Sequence, residues 1–268
     1  MGDERRRYLI QQMELGGSEV VLERGLAAQA AAPAATPAPP EPGAAAAATP
    51  APATPKWMKG APPIPGPGLT VEPPALSLLA GDPVADLESL EAVAERIRAC
   101  ERCALCASRT NAVPGEGNPR AGLVFVGEGP GATEDATGRP FVGQAGKLLD
   151  DIIAAIGLRR EDVYIANVVK CRPPQNRTPL PDETAACMPF LRRQLALLGP
   201  KVIVALGATA AAALLDTRKS LGDLRGKVHA YGGIPLVVTY HPAALLRNPN
   251  WKKPAWDDVR IARQLLDR

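Results

Sequence analysis

Four short apolar runs rich in valine and isoleucine recur beyond residue 120 of the chain. They read GLVFVGE at 122–128, VYIANVVK at 163–170, KVIVALG at 201–207 and PLVVTYHP at 235–242. Patterns typical of helices separate the runs, at 143–158, 182–199 and 208–216. Nearly continuous apolar strands need cover on both faces, so this alternation is typical of a parallel sheet between two helical layers. We therefore predict an α/β fold, a three-layer α/β/α arrangement around a central, mainly parallel four-stranded sheet.

The N-terminal 80 residues lack this pattern. Residues 25–55 are almost wholly alanine, proline and threonine with one charge, Glu41, and a proline-rich stretch follows. Such a segment has few large apolar side chains, so burial cannot offset the entropy that is lost on ordering. We predict a short N-terminal segment of unknown role at 1–24, a disordered Ala/Pro-rich linker at 25–80 and a folded domain at 81–268.

Charge and hydropathy limit the partners. No apolar run in the first 24 residues is long enough for a signal peptide or a membrane span. We therefore expect a cytoplasmic, monomeric protein without membrane contact, whose N-terminal arm either tethers a partner or serves as a spacer. The formal net charge is +3, but residues 191–268 hold 13 Lys and Arg against 5 Asp and Glu. This local excess fits a polyanionic partner, although a solvated basic surface would give the same count.

Polar side chains follow the predicted strands at the points where the strands end. Glu128 ends the first run and stands between two glycines, Asn167 lies near the end of the second run, and His241 lies near the end of the fourth. In open α/β sheets, ligands bind beyond the carboxyl ends of parallel strands. We therefore expect a carboxylate, a carboxamide and an imidazole to converge on one rim of the sheet.

Five cysteines form a pattern that fits a metal site. Cys100, Cys103 and Cys106 lie in ACERCALCASR, Cys171 in KCRPP and Cys187 in ACMPF. A cytoplasmic protein seldom keeps disulfides, so clustered thiols indicate metal binding or reactivity. Four thiolates suit zinc or an iron–sulfur cluster, and spacing does not choose between them. Buried structural cysteines are the alternative, and one cysteine is surplus in any four-ligand site.

The glycines of the first strand end, Gly127, Gly129 and Gly131, invite comparison with phosphate-binding loops. A P-loop closes with Gly-Lys-Ser/Thr, which is absent here, and a dinucleotide fingerprint requires G-x-G-x-x-G directly before a helix. Glu128 and Glu134 would also repel phosphate groups. A nucleotide-dependent ATPase or transferase is therefore disfavoured.

Four motifs together resemble the family-four uracil-DNA glycosylases, the iron–sulfur branch of that superfamily in bacteria and archaea. They are GEGNP at 115–119, VGEGPGATEDATGRPFVG at 126–143, NVVKCRPPQNRTPLPDE at 167–183 and HPAALLRNP at 241–249. The resemblance implies a monofunctional enzyme of base excision repair that flips uracil out of DNA and hydrolyses its N-glycosidic bond. A non-catalytic iron–sulfur module that binds DNA or senses its state is the alternative.

The same resemblance implies a [4Fe–4S] cluster. Its ligands would be Cys100, Cys103, Cys171 and Cys187, with Cys106 left as a non-ligand. The cluster would be structural and would position a DNA-facing loop.

Three catalytic residues are implied. Glu128 would lie near the attacking water, Asn167 would pair with N3–H and O4 of uracil, and His241 would hydrogen-bond O2. A carboxamide offers the donor and the acceptor that this base edge requires. Cleavage develops positive charge on the sugar and negative charge on the base, which a carboxylate and an imidazole donor would stabilise. His229, by contrast, is predicted to be an ordinary histidine with its hydrogen bonds satisfied.

The walls of the uracil pocket follow from the resemblance too. Gly127, Glu128 and Gly129 would supply one wall through their backbone groups. Phe141 would stack on the flipped base, as enzymes that extrude a base require. Glu134 would crowd the C5 position and so disfavour the methyl group of thymine.

DNA contacts are expected in two segments. Leu245 and Leu246, flanked by Arg247, would fill the gap left by the flipped base, with packing in a short helix as the alternative. Arg172 and Arg177 lie on a basic loop stiffened by prolines. The substrate would be uracil-containing DNA, single- or double-stranded. A KRRIH-type insertion, found in relatives that become trapped on DNA, is absent from this loop, so we predict turnover.

Overall fold

The computed structural model describes residues 54–72 and 82–268. The predicted segment at 1–24 and the parts of the predicted linker at 25–53 and 73–80 lie outside the described residues. Within the two described ranges, no helix combines the length and the apolar character that crossing a membrane demands.

Seven strands form one mixed sheet. In chain order they are β1 (Pro67–Val71), β2 (Glu116–Gly117), β3 (Leu123–Gly127), β4 (Tyr164–Asn167), β5 (Val202–Leu206), β6 (Val228–Tyr231) and β7 (Ile234–Thr239). Across the sheet the order is β1-β6-β7-β5-β3-β4-β2, and β7, β5, β3 and β4 run parallel. The predicted α/β class and mainly parallel sheet are therefore confirmed, and the four predicted runs are its four central strands.

Three marginal strands extend the sheet beyond the predicted four. β2 pairs antiparallel with β4, β6 pairs antiparallel with β7, and β1 pairs parallel with β6. β2 has two residues, and β6 alternates half-buried and buried side chains. Neither has the continuous apolar run that identifies a central strand, which is why both escaped prediction.

Eight α-helices accompany the sheet in the described ranges. They are α1 (Leu90–Arg98), α2 (Ala132–Thr137), α3 (Gln144–Ala155), α4 (Pro181–Leu198), α5 (Ala208–Leu215), α6 (Leu221–Leu224), α7 (Pro242–Arg247) and α8 (Lys252–Leu266). Alternate side chains of β3 enter two cores: Val124 and Val126 pack with α1, α4 and α5, whereas Leu123 and Phe125 pack with α3 and α8. The predicted three-layer α/β/α arrangement is confirmed.

Residues 54–72 belong to this fold, so the predicted disorder is wrong for this part of the linker. Trp57 is buried, and Arg260 of α8 donates a hydrogen bond to its carbonyl oxygen (2.8 Å). Gln264 donates another to the carbonyl oxygen of Pro62 (2.9 Å). Order therefore comes from main-chain bonding to α8 and to the sheet edge, which composition alone does not reveal.

His229 connects β1 to the rest of the sheet. Its Nδ1 accepts from the backbone N–H of Leu69 (2.9 Å), and its Nε2–H donates to the carbonyl oxygen of Leu224 (2.7 Å). A Cβ at Gly68 would lie 2.4 Å from Nδ1, so glycine lets β1 approach the ring. Both ring nitrogens are bonded, and the prediction of a satisfied structural histidine is confirmed.

Candidate active site

The carboxyl ends of the four parallel strands open into one cleft of about 530 Å³. Glu128 follows β3, Asn167 ends β4, Gly207 follows β5 and His241 comes two residues after β7, and all four line the cleft. The structure thus brings together the carboxylate, the carboxamide and the imidazole that the sequence places at strand ends. Gly129, Glu134 and Phe141 complete the set of predicted pocket residues that line it.

Gly127, the last residue of β3, leaves room for two side chains. A Cβ there would lie 2.4 Å from Oδ1 of Asn167 and 2.6 Å from Cζ of Phe141. Such contacts are shorter than atoms tolerate, so any larger residue would displace both side chains. The sequence predicts that Gly127 forms part of the pocket wall through its backbone. In the structure Gly127 is not among the residues that line the cleft; instead, its lack of a side chain makes room for Asn167 and Phe141, which do line it.

Asn167 is almost fully buried, and its Oδ1 has no hydrogen-bond partner among the described residues. Leaving a buried acceptor unpaired costs about 1–3 kcal/mol, so this oxygen is poised for a donor from a ligand. The backbone of Asn167 is held firmly, because the buried Nζ of Lys170 donates to its carbonyl oxygen (2.8 Å) and to Oε1 of Gln194 (2.6 Å).

Phe141 reaches the cleft from an unusual backbone conformation. Its φ is 50°, in the left-handed region that non-glycine residues rarely occupy. Arg160 donates to its carbonyl oxygen (3.1 Å) and to that of Pro140. The Phe141 ring lies 5.4 Å from the ring of His241. The position of the aromatic wall of the cleft therefore depends on the guanidinium of Arg160, which lies outside the cleft. The sequence did not indicate this role of Arg160.

Glu134 ties together the two loops on either side of α2. One carboxylate oxygen accepts from the backbone N–H groups of Val142 (2.9 Å) and Gly143 (2.8 Å), and the other from Gly131 (3.2 Å). These bonds fix the loop that carries Phe141. The carboxylate has a structural task in addition to its place in the cleft wall.

Thr209 is a cleft residue that sequence reasoning missed. Its hydroxyl donates to the carboxylate of Glu128, and both residues line the cleft. Gly207, at φ 91°, passes close to His241, so that the first turn of α5 enters the rim. The place of Thr209 in the sequence could have identified it as a cleft residue. It stands two residues after Gly207, which follows a strand, and helices that begin there lie at the ligand-binding edge of the sheet.

His241 caps the N-terminus of α7, and the proton of its neutral ring is on Nε2. Nδ1 accepts from the backbone N–H of Ala243 (3.2 Å), which leaves Nε2 as the N–H donor of the neutral ring. Burial, reinforced by the positive charge of Arg247, lowers the pKa of His241 to about 4. The ring is therefore neutral near pH 7 and offers a hydrogen bond without a formal charge.

The predicted DNA-contact residues divide into two groups. Arg177 and Arg247 line the cleft. Arg172, half exposed, donates to Oδ1 of Asn176 on the same loop (2.8 Å). Arg177 also pairs with the buried carboxylate of Glu183 (2.7 Å), which holds the loop against α4.

Of the two leucines predicted to form a wedge, one is at the surface. Leu246 is 44% exposed, whereas Leu245 is 1% exposed. Adjacent residues of a short helix point in different directions, so α7 buries one side chain while presenting the other. The expected DNA contact by Leu245 is therefore corrected: it is a core residue.

All five cysteines line one small cavity beneath α4. Cys171 and Cys187 are buried in the core, and Cys100 and Cys103 pack against it. Among the described residues, no three His, Cys, Asp or Glu side chains are arranged to hold a metal ion. The thiols surround a space rather than converge on a point.

Hydrogen-bond donors point at two of these sulfurs. Arg109 donates to Sγ of Cys171 (3.1 Å), and the backbone N–H of Lys170 donates to Sγ of Cys187 (3.3 Å). Burial raises the pKa of the Cys187 thiol to about 12 and also raises that of Cys171. Thiolates form here only with a bound cation, and the donors would then stabilise them. This donor set fits a thiolate-ligated metal cofactor.

Comparison with known proteins identifies the class that this fold and cleft define. The family model of the uracil DNA glycosylase superfamily matches residues 114–260, which include all the strand ends of the cleft. Three type-4 uracil-DNA glycosylases are similar over most of their length. The protein from Thermotoga maritima is 55% identical over 185 residues, covering 68% of this chain and 96% of the relative.

The second, from Pyrobaculum aerophilum, is 49% identical over 172 residues, covering 61% of this chain and 86% of the relative. The third, from Sulfurisphaera tokodaii, is 48% identical over 188 residues, covering 67% and 86%. The chain belongs to the type-4 uracil-DNA glycosylase family, as its four motifs predict.

Proposed function

We propose that this protein is a monofunctional uracil-DNA glycosylase, which hydrolyses the N-glycosidic bond of uracil in DNA and leaves an abasic site for base excision repair. The observation that carries the proposal is the buried carboxamide of Asn167 with an unpartnered Oδ1, in a cleft shared with Glu128 and His241. Names of relatives at 45–55% identity support the same activity.

In this proposal, uracil is recognised by hydrogen bonds to its N3–O4 edge and by stacking on the face of its ring. Oδ1 of Asn167 accepts from N3–H of uracil and its amide group donates to O4, a pairing that thymine shares but cytosine does not. Phe141 stacks on the flipped ring. Discrimination against thymine falls to Glu134, whose carboxylate is held in the wall by three backbone N–H groups and cannot move away from a C5 methyl group.

Bond cleavage rests on charge placed at the two ends of the breaking bond. Glu128, oriented by Thr209, stabilises the positive sugar or positions the attacking water. The neutral His241 donates from Nε2 to O2 of the departing uracil anion. Preorganised groups of this kind contribute roughly 10²–10³ each to the rate, because they do not reorganise during reaction.

Water is the nucleophile in this proposal. Among the described residues that line the cleft there is no lysine. The buried amine of Lys170, next in the chain to a cysteine, is directed at Asn167 and Gln194 instead. A covalent Schiff base therefore has no amine to form it, and we expect turnover.

DNA is held by a wedge and cationic side chains. The exposed Leu246 fills the space of the flipped nucleotide, and Arg247, Arg172 and Arg177 contact the phosphate backbone. Uracil in either single- or double-stranded DNA is the substrate. We expect a monomer in the cytoplasm, whose N-terminal segment either engages a repair or replication partner or serves as a spacer.

We infer that Cys100, Cys103, Cys171 and Cys187 hold a [4Fe–4S] cluster. Bound there, it would serve as a structural cross-link between four thiolates, of which those of Cys171 and Cys187 are buried. The residues of this chain would do the rest: Cys171 and Cys187 bracket the loop of Arg172 and Arg177 and fix its two ends.

A labelled oligonucleotide with one uracil tests the activity. Incubation followed by hot alkali is expected to cut the strand at uracil and to leave the matched thymine oligonucleotide intact. Asn167→Asp, which keeps the shape but loses the amide donor, and His241→Ala should each slow release at least about a hundredfold. A wild-type protein that leaves uracil in place refutes the activity, whereas full activity in both variants refutes the site.

A further inference from the structure

An aromatic stack closes the segment that carries the wedge. Tyr240 and Trp251 lie with ring centroids 4.7 Å apart and planes 8° apart. The chain between them contains His241 and α7, and the turn Pro249–Trp251 ends at the indole. The two ends of this segment are therefore joined by a ring-on-ring contact immediately next to the cleft histidine.

The stack has a fixed base. The guanidinium of Arg225 lies 4.1 Å over the Tyr240 ring. Two groups cannot share one face at these separations, so Arg225 and Trp251 cover opposite faces. Arg225 in turn forms an ion pair of 2.7 Å with the buried Asp258 of α8. The order Asp258, Arg225, Tyr240, Trp251 thus runs from the core outwards.

The outer end of the stack faces solvent within a basic surface. Trp251 is 38% exposed, and Lys252 and Lys253 beside it are exposed. Residues 240–253 contain Arg247 and these two lysines but no acidic residue. A rigid aromatic face among cations is the arrangement by which proteins bind single-stranded nucleic acid.

We propose that Trp251 is a stacking platform for an unpaired base of the DNA strand that flanks the flipped uracil, with Lys252 and Lys253 contacting its phosphates. The inference rests on the proposed function, because the platform is joined to the cleft through Tyr240 and His241. Positive charge and an exposed indole favour a nucleic acid over an apolar protein partner. The platform favours single-stranded substrates, since bases in a duplex already stack on each other.

Binding of a uracil-free, single-stranded thymidine oligomer of about 12 nucleotides tests the platform. Wild-type tryptophan fluorescence should be quenched on binding. Trp251→Phe keeps the stack on Tyr240 and should bind within about threefold but without most of the quenching. Trp251→Leu should bind about tenfold more weakly, with a similar rise in KM on single-stranded uracil DNA and little change in kcat.

Charge-matched variants test the lysines. The double variant Lys252→Ala, Lys253→Ala should weaken binding and reduce its salt dependence, whereas Arg218→Ala, Lys219→Ala, exposed in the loop after α5, should not. Equal losses in both pairs would overturn the role of the lysines.

Two results would overturn the platform: a folded Trp251→Leu variant that binds the oligomer like the wild type, or quenching that persists in Trp251→Phe. The first result would indicate that this surface binds a protein partner and not DNA. Melting temperatures show whether Trp251→Leu is folded. If it is not, the fluorescence of Trp251→Phe on binding the oligomer tests the platform instead. Because the oligomer contains no uracil, failure here is separate from failure of uracil release.

Discussion

The guanidinium of Arg160 donates a hydrogen bond of 3.1 Å to the carbonyl oxygen of Phe141. Phe141 lies in the left-handed region, a conformation that costs about 1–3 kcal/mol and persists only where the surrounding structure enforces it. Arg160 is itself held between the carboxylates of Glu116 (2.8 Å) and Asp150 (2.8 Å). An ion-pair network outside the cleft therefore positions the aromatic wall inside it.

Replacing Arg160 should weaken binding of the base more than it slows chemistry. Without the guanidinium, Phe141 relaxes toward an ordinary conformation and leaves its stacking position. We expect Arg160→Ala to raise KM about tenfold with kcat changed by less than about threefold, and Arg160→Lys to recover only part, because one ammonium cannot reach all its acceptors. Steady-state kinetics on a uracil oligonucleotide measure both parameters.

Arg139 provides the matched control. It also pairs with Glu116 (2.8 Å), but it is largely exposed and makes no bond to Phe141. Arg139→Ala should leave KM near the wild-type value. A rise equal to that of Arg160→Ala would mean that loss of charge around Glu116, rather than loss of the Phe141 contact, is responsible.

Thr209 should control kcat through Glu128. Its hydroxyl donates to the carboxylate, a kind of hydrogen bond that contributes about 1.5–3 kcal/mol. Thr209→Val keeps the shape and removes the donor, so we expect kcat to fall at least about tenfold, whereas Thr209→Ser should stay close to the wild type. Single-turnover rates of uracil release measure the effect. Equal rates for the Val and Ser variants would exclude this orienting role.

The depressed pKa of His241 predicts a wide pH range of activity. With a pKa of about 4, the ring stays neutral from pH 8 down to about pH 5, with its proton on Nε2 and with Nδ1 accepting from Ala243. We expect the contribution of His241 to kcat/KM to be constant over this range and to change only at lower pH. A loss of activity with a midpoint near pH 6.5 that is absent from His241→Ala would show that the ring titrates normally.

The same shift predicts an acid-sensitive contribution to stability. The folded pKa lies below the ordinary value of 6.5, so the unfolded chain takes up the proton first as the pH falls. The free energy of unfolding should therefore decrease between about pH 6.5 and pH 4, by up to roughly 3 kcal/mol from this residue.

Urea unfolding of the wild type and His241→Ala at pH 7 and pH 4.5 measures that contribution as a difference. Burial raises the pKa of Asp258 to about 6. The contribution of Asp258 to the free energy of unfolding therefore increases as the pH falls, opposite to that of His241. Because Asp258 is present in both proteins, its effect cancels. A stability difference that does not depend on pH would refute the assignment of a depressed pKa to His241.

Cluster assembly should depend on four of the five cysteines. We expect Cys187→Ala to lose iron and sulfide, the visible absorption of the purified protein and much of its thermal stability, because Cys187 ties α4 to the cavity. Cys106→Ala is the matched control and should retain all three. Stoichiometric zinc without iron in protein prepared anaerobically would contradict the iron–sulfur assignment.

The N-terminal boundary of the fold should lie before Trp57. A chain that begins at residue 54 keeps the bonds of Trp57 and Pro62 to α8 and should unfold like the full-length protein. A chain that begins at residue 73 loses β1 as well and exposes one edge of β6. We expect a lower melting temperature and more aggregation for it, measured by calorimetry and light scattering. Equal melting temperatures would show that β1 contributes nothing.

Local pattern was sufficient for the centre of the fold. β3, β4, β5 and β7 have continuous apolar sequences because both faces of each strand are buried, and that requirement is written into consecutive residues. Parallel direction then places every strand end at one edge. For this reason the sequence alone places Glu128, Asn167 and His241 at a common rim.

Tertiary structure decided whatever depends on residues that are distant in the chain. Thr209 and Glu128 are 81 positions apart, and no local pattern marks a threonine as the partner of that carboxylate. β1 lies in a proline-rich stretch whose order comes from β6 and α8. Leu245 and Leu246 have the same chemistry, and only the packing of α7 buries one and exposes the other. The sequence determined which chemical groups meet at the sheet edge, because periodicity and strand direction are local; the packed chain decided how each is held, because orientation depends on contacts between distant segments.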